Sequence, residues 1–420
     1  MKKYPLKLLA IFGFLITLLG FFNWLINPLL LFDSPAIDGV NRYKTQFFFL
    51  QHKVKPLWAQ SSRPDGLILG SSRAGGGLNP DHSALPENTF NYAIPGIRIN
   101  TIARVYSEAR LLGDLSQVVM TLDFFSFNVS PSLTQVRDTE MFEGFYADAD
   151  GDRRPFASLR RGKSLLQGLV SWQNTRNSIL TMRRQSAIEE RGAGFFEFTR
   201  AGNWYQTLAK GREQRQNFRV IEQNYLDEGW FPPPAREFIF ANEQLSAFDS
   251  YGDLLALMYV DGVSVELVIS PLHARFLSAI KVAGLWEEFE IWKRQLLAIN
   301  IAMADEAGET PFPLWDFADY SELTQERIPA ENDSSTRMRN YIDGQHYTVE
   351  LGDRLLDRIL NHQSSEHEIV EGFGSLLKAE SIDIHLVRVR DLQVEYEASH
   401  GQELLDLQRS VEIVKSRNSN

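Results

Sequence analysis

The 420-residue sequence contains no cysteine. Disulfides, thiolate nucleophiles and cysteine-ligated zinc are therefore all excluded. Any folded domain must hold together by core packing, and 44% hydrophobic residues are enough for a full core. Histidine is sparse: eight in all, scattered, with no His-x-x-x-His pair and no Asp/Asn loop of the calcium type. No metal and no cofactor are expected on that basis. Positive charge is in the minority, with 43 Lys and Arg against 54 Asp and Glu. The net charge of −11 argues against general binding to nucleic acid or acidic lipid. It leaves open a neutral or locally bound sugar polymer.

Charge is missing altogether from Leu8 to Phe32, after Lys2, Lys3 and Lys7. As a helix, this stretch rich in Leu, Ile and Phe would reach about 37 Å, enough to cross a hydrocarbon layer of roughly 30 Å. Pro28 is expected to kink or end it, so that the embedded part stops near Ile26. The basic N-terminus is expected to stay cytoplasmic, which leaves everything after Asp33 outside. The competing reading is a cleaved signal peptide. It needs a shorter apolar core and an A-x-A-like site, and Asp33-Ser34-Pro35-Ala36 is a poor substitute for one.

Residues 1–33 are thus read as N-terminus and transmembrane anchor, and 34–64 as a juxtamembrane segment whose Phe47-Phe48-Phe49 packs on the domain. Apolar runs bounded by turn residues follow, at Gly66–Leu69, Val118–Leu122, Val263–Ile269 and Pro313–Phe317. Helical patterns lie between them, at Ile99–Leu112 and Leu272–Asn300. This alternation predicts a mostly parallel sheet within an α/β domain at 65–362. An Arg-, Gln- and aromatic-rich stretch at about 131–250, with a Pro232-Pro233-Pro234 run, reads as a largely helical insertion across the sheet's carboxyl edge. Such an insertion serves either as a lid or substrate surface or as decoration. Residues 363–420 form a polar extension in which Ile382–Val389 alternates like an edge strand and Ser416–Asn420 is expected to be disordered.

Two short motifs carry the chemistry. Gly70-Ser71-Ser72-Arg73 follows the run Leu67-Ile68-Leu69, as a strand entering a glycine-rich turn would. Arg73-Ala74-Gly75-Gly76-Gly77 is neither a phosphate loop nor a dinucleotide fingerprint, because the Gly-Lys-Ser/Thr and the Gly-x-Gly spacing are missing. Near the other end, Asp343-Gly344-Gln345-His346 precedes an amphipathic pattern at Tyr347–Leu360. A carboxylate three residues before a histidine can reach its Nδ1–H and leave Nε2 free as a base. Equally, Asp343 can cap the helix that follows. Ser72, His346 and Asp343 together hold the parts of a nucleophile, base and orienting carboxylate, provided the fold joins them. Gly96, in Ile94-Pro95-Gly96, is placed to offer a backbone N–H to a developing oxyanion. Two more residues fall near the same edge. His273 follows the run Val263–Ile269 and is a substrate-side candidate or a structural hydrogen-bonder; Arg73 either binds a carboxylate or forms a surface ion pair.

On these residues the chain resembles the SGNH (GDSL-type) hydrolase superfamily, whose blocks are a Gly-x-Ser, a downstream Gly, a Gly-x-Asn-Asp and a C-terminal Asp-x-x-His. The likeness covers roughly 65–125 and 263–362. It is similar to the membrane-anchored branch acting on cell-surface polymers, such as the teichoic-acid D-alanylation protein DltD and the alginate acetylation proteins. The resemblance implies a three-layer α/β/α sandwich of SGNH or flavodoxin-like type and one N-terminal transmembrane helix. Ser72 would be the nucleophile, His346 the base, Asp343 its partner, and the Ser72 and Gly96 backbones the oxyanion donors. Ser71 replaces the usual Asp and is expected to be a structural hydrogen-bonder. It also implies a cell-surface polysaccharide or acyl donor as ligand and a multi-span membrane acyltransferase as partner. The expected address is the cytoplasmic (inner) membrane, single-pass, with the C-terminal domain periplasmic or extracytoplasmic. One block departs from the pattern: Val119-Met120-Thr121-Leu122-Asp123 puts Asp123 near where an Asn belongs. Asp123 then binds a substrate hydroxyl or supports the Gly-Ser-Ser loop, and Asp123→Asn is expected to leave acylation intact or raise it. The alternative to an esterase or O-acyltransferase is a catalytically silent scaffold of an envelope polysaccharide complex.

Overall fold

The computed structural model describes residues 4–130, 135–191, 196–206, 211–230, 238–363 and 370–418. The run Pro232-Pro233-Pro234 and residues 419–420 lie outside the described residues. The chain divides into two compact units, one of residues 1–62 with 135–207 and one of residues 63–134 with 208–420. The stretch 131–250 is thus shared between them. Along the chain the strands are β1 (Gly66–Leu69), β2 (Thr89–Asn91), β3 (Gln117–Leu122), β4 (Phe196–Phe198), β5 (Trp204–Gln206), β6 (Ser264–Ile269), β7 (Leu314–Asp316) and β8 (Ser375–Leu376).

The second unit carries a six-stranded sheet in the order β2-β1-β3-β6-β7-β8, parallel except for β8, which runs antiparallel to β7. Its central strands read as continuous apolar runs because side chains on both faces are buried. Ile68, Val119, Val268 and Phe317 join one core cluster with Ala74, Leu78, Tyr347, Leu351 and Leu355. The alternate residues Leu67, Val118, Met120 and Leu267 are buried as completely. Helices connect the strands: Ser72–Gly77 after β1, Ile99–Ala109 after β2, Ala247–Asp261 before β6, Ala274–Ala283 and Trp286–Ala307 after β6, and Val349–Ile359 before β8.

The strand order positions the site. The chain leaves β1 for β2 on one side and then crosses to β3 on the other. In open α/β sheets, ligands bind at the carboxyl ends of the strands where the order reverses in this way. Gly70–Ser72 follows β1 at that point, and Asp123 follows β3.

In the first unit, the N-terminal helix runs from Tyr4 to Ile26 and is long and apolar enough to cross a membrane. It ends where Asn27 turns left-handed, one residue before Pro28. Helices Ala157–Val170 and Trp172–Arg183 clasp its C-terminal end. Asn23 is the tie: its Nδ2 donates to the Leu169 carbonyl at 2.7 Å and to Thr175 Oγ1 at 2.9 Å, and its Oδ1 accepts from Ser178 Oγ at 2.8 Å. Phe47 and Phe48, on helix Phe47–Ser62, stack on Trp58 and on Phe196 of the β4–β5 hairpin, whereas Phe49 is exposed.

The segment Ile382–Val389 is not a strand but the start of helix Ile382–Ser399. Its buried residues Ile382, Leu386, Val389, Gln393 and Tyr396 recur at three- and four-residue spacing, while Ile384 and Val387 face out. Charge fixes the helix in place. His385 Nε2 lies 2.8 Å from Asp316 Oδ2, which also takes the buried Lys293 ammonium at 2.6 Å. The last helix, Gly401–Asn418, includes Ser416.

Candidate active site

Ser72 opens helix Ser72–Gly77, with Ser71 as its N-cap. The turn before it needs glycine: Gly70 has φ +145°, and a Cβ there would lie 2.0 Å from Thr121 Oγ1. Ser71 Oγ accepts from the Arg73 N–H at 3.3 Å and donates to Asp123 Oδ2 at 2.5 Å. At the helix's other end, Asn91 Nδ2 donates to the carbonyls of Ala74 at 2.9 Å and Leu78 at 3.0 Å.

His346 comes from a tight turn. Tyr341 and Tyr347 form a β-bridge across it, and the Ile342 N–H donates to the His346 carbonyl at 2.8 Å. Inside this turn, Asp343 Oδ1 accepts from the N–H groups of Gln345 and His346, both at 2.9 Å. Its Oδ2 lies 2.8 Å from His346 Nδ1, and His346 Nε2 lies 2.8 Å from Ser72 Oγ. Because a carboxylate only accepts, Nδ1 carries the proton and Nε2 is left to accept the Ser72 O–H. The helix after the turn is capped by Thr348, not Asp343.

The structure therefore brings Ser72, His346 and Asp343 together across 274 positions of sequence. Every residue of 70–78 except Ser72 is buried, and so is every residue of 341–348 except His346. The two that reach solvent are the two that share the hydrogen bond. A hydroxyl on one imidazole nitrogen, with the far ring nitrogen held by a carboxylate, is an arrangement that activates serine.

The other expected residues divide. Asp123 faces the Gly-Ser-Ser loop, binding Ser71 and accepting from Arg73 Nη1 at 2.7 Å. Arg73 is buried, not a surface group, and its Nη2 donates to Gln345 Oε1 at 2.9 Å. Burial works against its charge, but Asp123 together with Tyr225 and Tyr347 outweighs that and raises its pKa. A guanidinium committed to these two partners holds the serine loop to the histidine turn. His273 is also structural. Its Nδ1 accepts from the Arg275 N–H at 3.1 Å, capping helix Ala274–Ala283, and Nε2–H donates to the Glu326 carbonyl at 2.7 Å. Both ring nitrogens are occupied, and burial lowers its pKa to about 4, so the ring is neutral. Its own N–H donates to the Gly344 carbonyl at 3.0 Å, which props the histidine turn from behind. Gly96, with φ +65°, sits at the exposed tip of the Ile94–Ile97 turn, after Pro95 as a type II turn requires. The Ile94 N–H donates to the Gly70 carbonyl at 2.9 Å, tying that turn to the serine loop.

Sequence reasoning passed over Gln345 and Asn91. Gln345 lies between two motif residues, yet no spacing marks it as the partner of an arginine 272 positions away. Asn91 ends a short buried strand, and a buried amide there is a weak signal of a helix end to be satisfied. No group of three or more His, Asp or Glu that could hold a metal ion occurs among the described residues. In comparison with known proteins, the chain matches no family model, no curated protein and no solved structure.

Proposed function

We propose that this chain is a membrane-anchored serine esterase or O-acyltransferase that works outside the cytoplasmic membrane on a cell-envelope polysaccharide or similar polymer. The observation that carries the reading is the pair of 2.8 Å contacts, Ser72 Oγ to His346 Nε2 and His346 Nδ1 to Asp343 Oδ2. Ser72 attacks the acyl carbonyl as His346 takes its proton. The tetrahedral oxyanion is met by the Ser72 N–H and by Gly96. His346 then returns the proton to the departing alcohol, leaving an acyl-Ser72 ester. A sugar hydroxyl or water attacks that ester in the second half, with His346 again the base. A three-layer SGNH-type sandwich is the finer fold that accompanies this reading; the strand order and the switch-point position of Ser72 support it. The apolar N-terminal helix supports a single span, and Lys2, Lys3 and Lys7 before it favour the rest of the chain outside, where a multi-span acyltransferase would hand over the acyl group.

The test is labelling of detergent-solubilised full-length protein by a serine-directed fluorophosphonate. Labelling is expected in the wild type, absent in Ser72→Ala and lowered about 10²-fold or more in His346→Ala, the lower end of a general base's contribution. A folded protein that shows no Ser72-dependent labelling, with polymer acylation unchanged in Ser72→Ala cells, is instead a silent scaffold.

A further inference from the structure

The first unit carries an exposed apolar face on the two helices that clasp the N-terminal helix. On helix Ala157–Val170 and the residue before it, Phe156 is 76% exposed, Leu159 70% and Leu166 58%, and Trp172 opens the next helix at 79%. Phe156, Leu159, Lys163 and Leu166 fall at three- and four-residue intervals, so they form one stripe. Large apolar side chains in such a stripe mark a binding surface.

The charge around them has one sign. Between Arg153 and Ile188 there are eight Arg or Lys and no Asp or Glu, in a chain whose net charge is −11. Arg160, Lys163, Arg176 and Arg183 form no ion pair among the described residues. The overall negative charge hides a locally cationic surface.

Its position follows from the N-terminal helix. Tyr4–Leu18 is bare, and these fifteen residues reach about 22 Å, short of a hydrocarbon layer of roughly 30 Å. The remaining turns, from Leu19 to Ile26, must therefore also lie within the bilayer's outer margin. Those are the turns that the two helices clasp through Asn23. A helix with an apolar stripe and basic neighbours, held at that depth, is suited to the interfacial plane.

We propose that helices Ala157–Val170 and Trp172–Arg183 form a second membrane contact, seated in the surface of an anionic phospholipid bilayer beside the span. Phe156, Leu159, Leu166 and Trp172 enter the acyl boundary, while Lys163 extends its ammonium to the phosphates. The contact rests on the span reading for its depth and on the exposed stripe and the charge for its chemistry.

The absence of cysteine makes single-cysteine variants unambiguous. Leu159→Cys, Leu166→Cys, Phe12→Cys and Glu380→Cys are made in the full-length protein, spin-labelled and reconstituted into vesicles of phosphatidylcholine with or without phosphatidylglycerol. Collision with oxygen and with a water-soluble nickel chelate gives the depth of each label. The labels at 159 and 166 are expected about 5–10 Å inside the headgroup boundary, deeper with phosphatidylglycerol, with 12 in the hydrocarbon and 380 in water. The combined variant Arg160→Gln, Lys163→Gln and Arg176→Gln should lose the dependence on phosphatidylglycerol. Labels at 159 and 166 that stay aqueous while 12 is in lipid overturn this contact and leave the span standing. An aqueous label at 12 overturns the span instead, and the labels at 159 and 166 then decide the surface contact separately. Equal depth in both lipids overturns the anionic preference.

Discussion

Gly352 and Gly77 meet backbone to backbone: a Cβ on Gly352 would lie 1.7 Å from the Gly77 carbonyl oxygen. A Cβ on Gly77 would in turn strike the Tyr347 ring at 2.1 Å. Helix Ser72–Gly77 begins with the candidate nucleophile, and helix Val349–Ile359 follows three residues after the candidate base. The missing side chains set how closely those two ends approach.

Gly352→Ala is expected to lower stability by about 1–3 kcal/mol, as overpacking does, although alanine favours the helix. By wedging the two helices apart it should also slow fluorophosphonate labelling of Ser72. Thermal unfolding and labelling rates on the same preparation check both. A variant that melts and labels like the wild type would show that the close approach is not needed.

Asp123→Asn is expected to reduce labelling, contrary to what the sequence suggests. Asp123 is the buried counter-charge of Arg73, and removing one partner of such a pair costs roughly 3–5 kcal/mol. Ser71→Ala removes a neutral partner of Asp123 and the cap of helix Ser72–Gly77 but leaves the Arg73–Asp123 pair, and should retain most of the labelling. A double-mutant cycle of Asp123→Asn with Arg73→Gln should show strong coupling in both melting temperature and labelling rate.

Acid should weaken the fold through His273. Its pKa is lowered from the ordinary 6.5 to about 4 by burial, so the folded chain resists a proton that the unfolded chain accepts. The resulting stability is complete above pH 6.5 and is lost as pH falls through the interval down to about 4. His273→Asn keeps an N-cap acceptor; it should be less stable at pH 7.5 yet lose less melting temperature between pH 7 and pH 4.5. Parallel pH profiles for the two proteins would remove His273 from the account.

Asp316→Asn is expected to destabilise the chain by roughly 3–5 kcal/mol, because it strands the fully buried Lys293 ammonium. It also loosens His385 and with it helix Ile382–Ser399, which limited proteolysis should detect before the sheet unfolds. Resistance of that helix in the variant would place its anchorage elsewhere, for instance at the Arg390–Glu290 pair.

Strands β1, β3 and β6 were legible because burial on both faces writes a largely apolar run, broken only by residues such as Thr121 and Glu266, and turn residues mark its ends. Ser72, Asp343 and His346 were legible because each motif is local. For Asp123, Arg73 and His273 the sequence left two readings open, since their partners are remote. The Glu326 carbonyl that occupies His273 is 53 positions away, and Asp123 is 50 positions from Arg73. Nothing in the residues themselves distinguishes a group satisfied inside the protein from one waiting for a ligand. Ile382–Val389 misled for a related reason. Its short apolar alternation suits either period, and the burial that decides it comes from a tertiary neighbour.

The separation of Ser72 from His346 also orders events in time. A ribosome must add 274 more residues after the serine before the histidine exists, and the closing turn with Tyr347 comes later still. Throughout that interval the growing chain carries a plain hydroxyl, and a product truncated anywhere before position 346 does so permanently. On the proposed reading the reactive pair cannot form until the last fifth of the chain has begun, so no fragment ending before His346 can carry it.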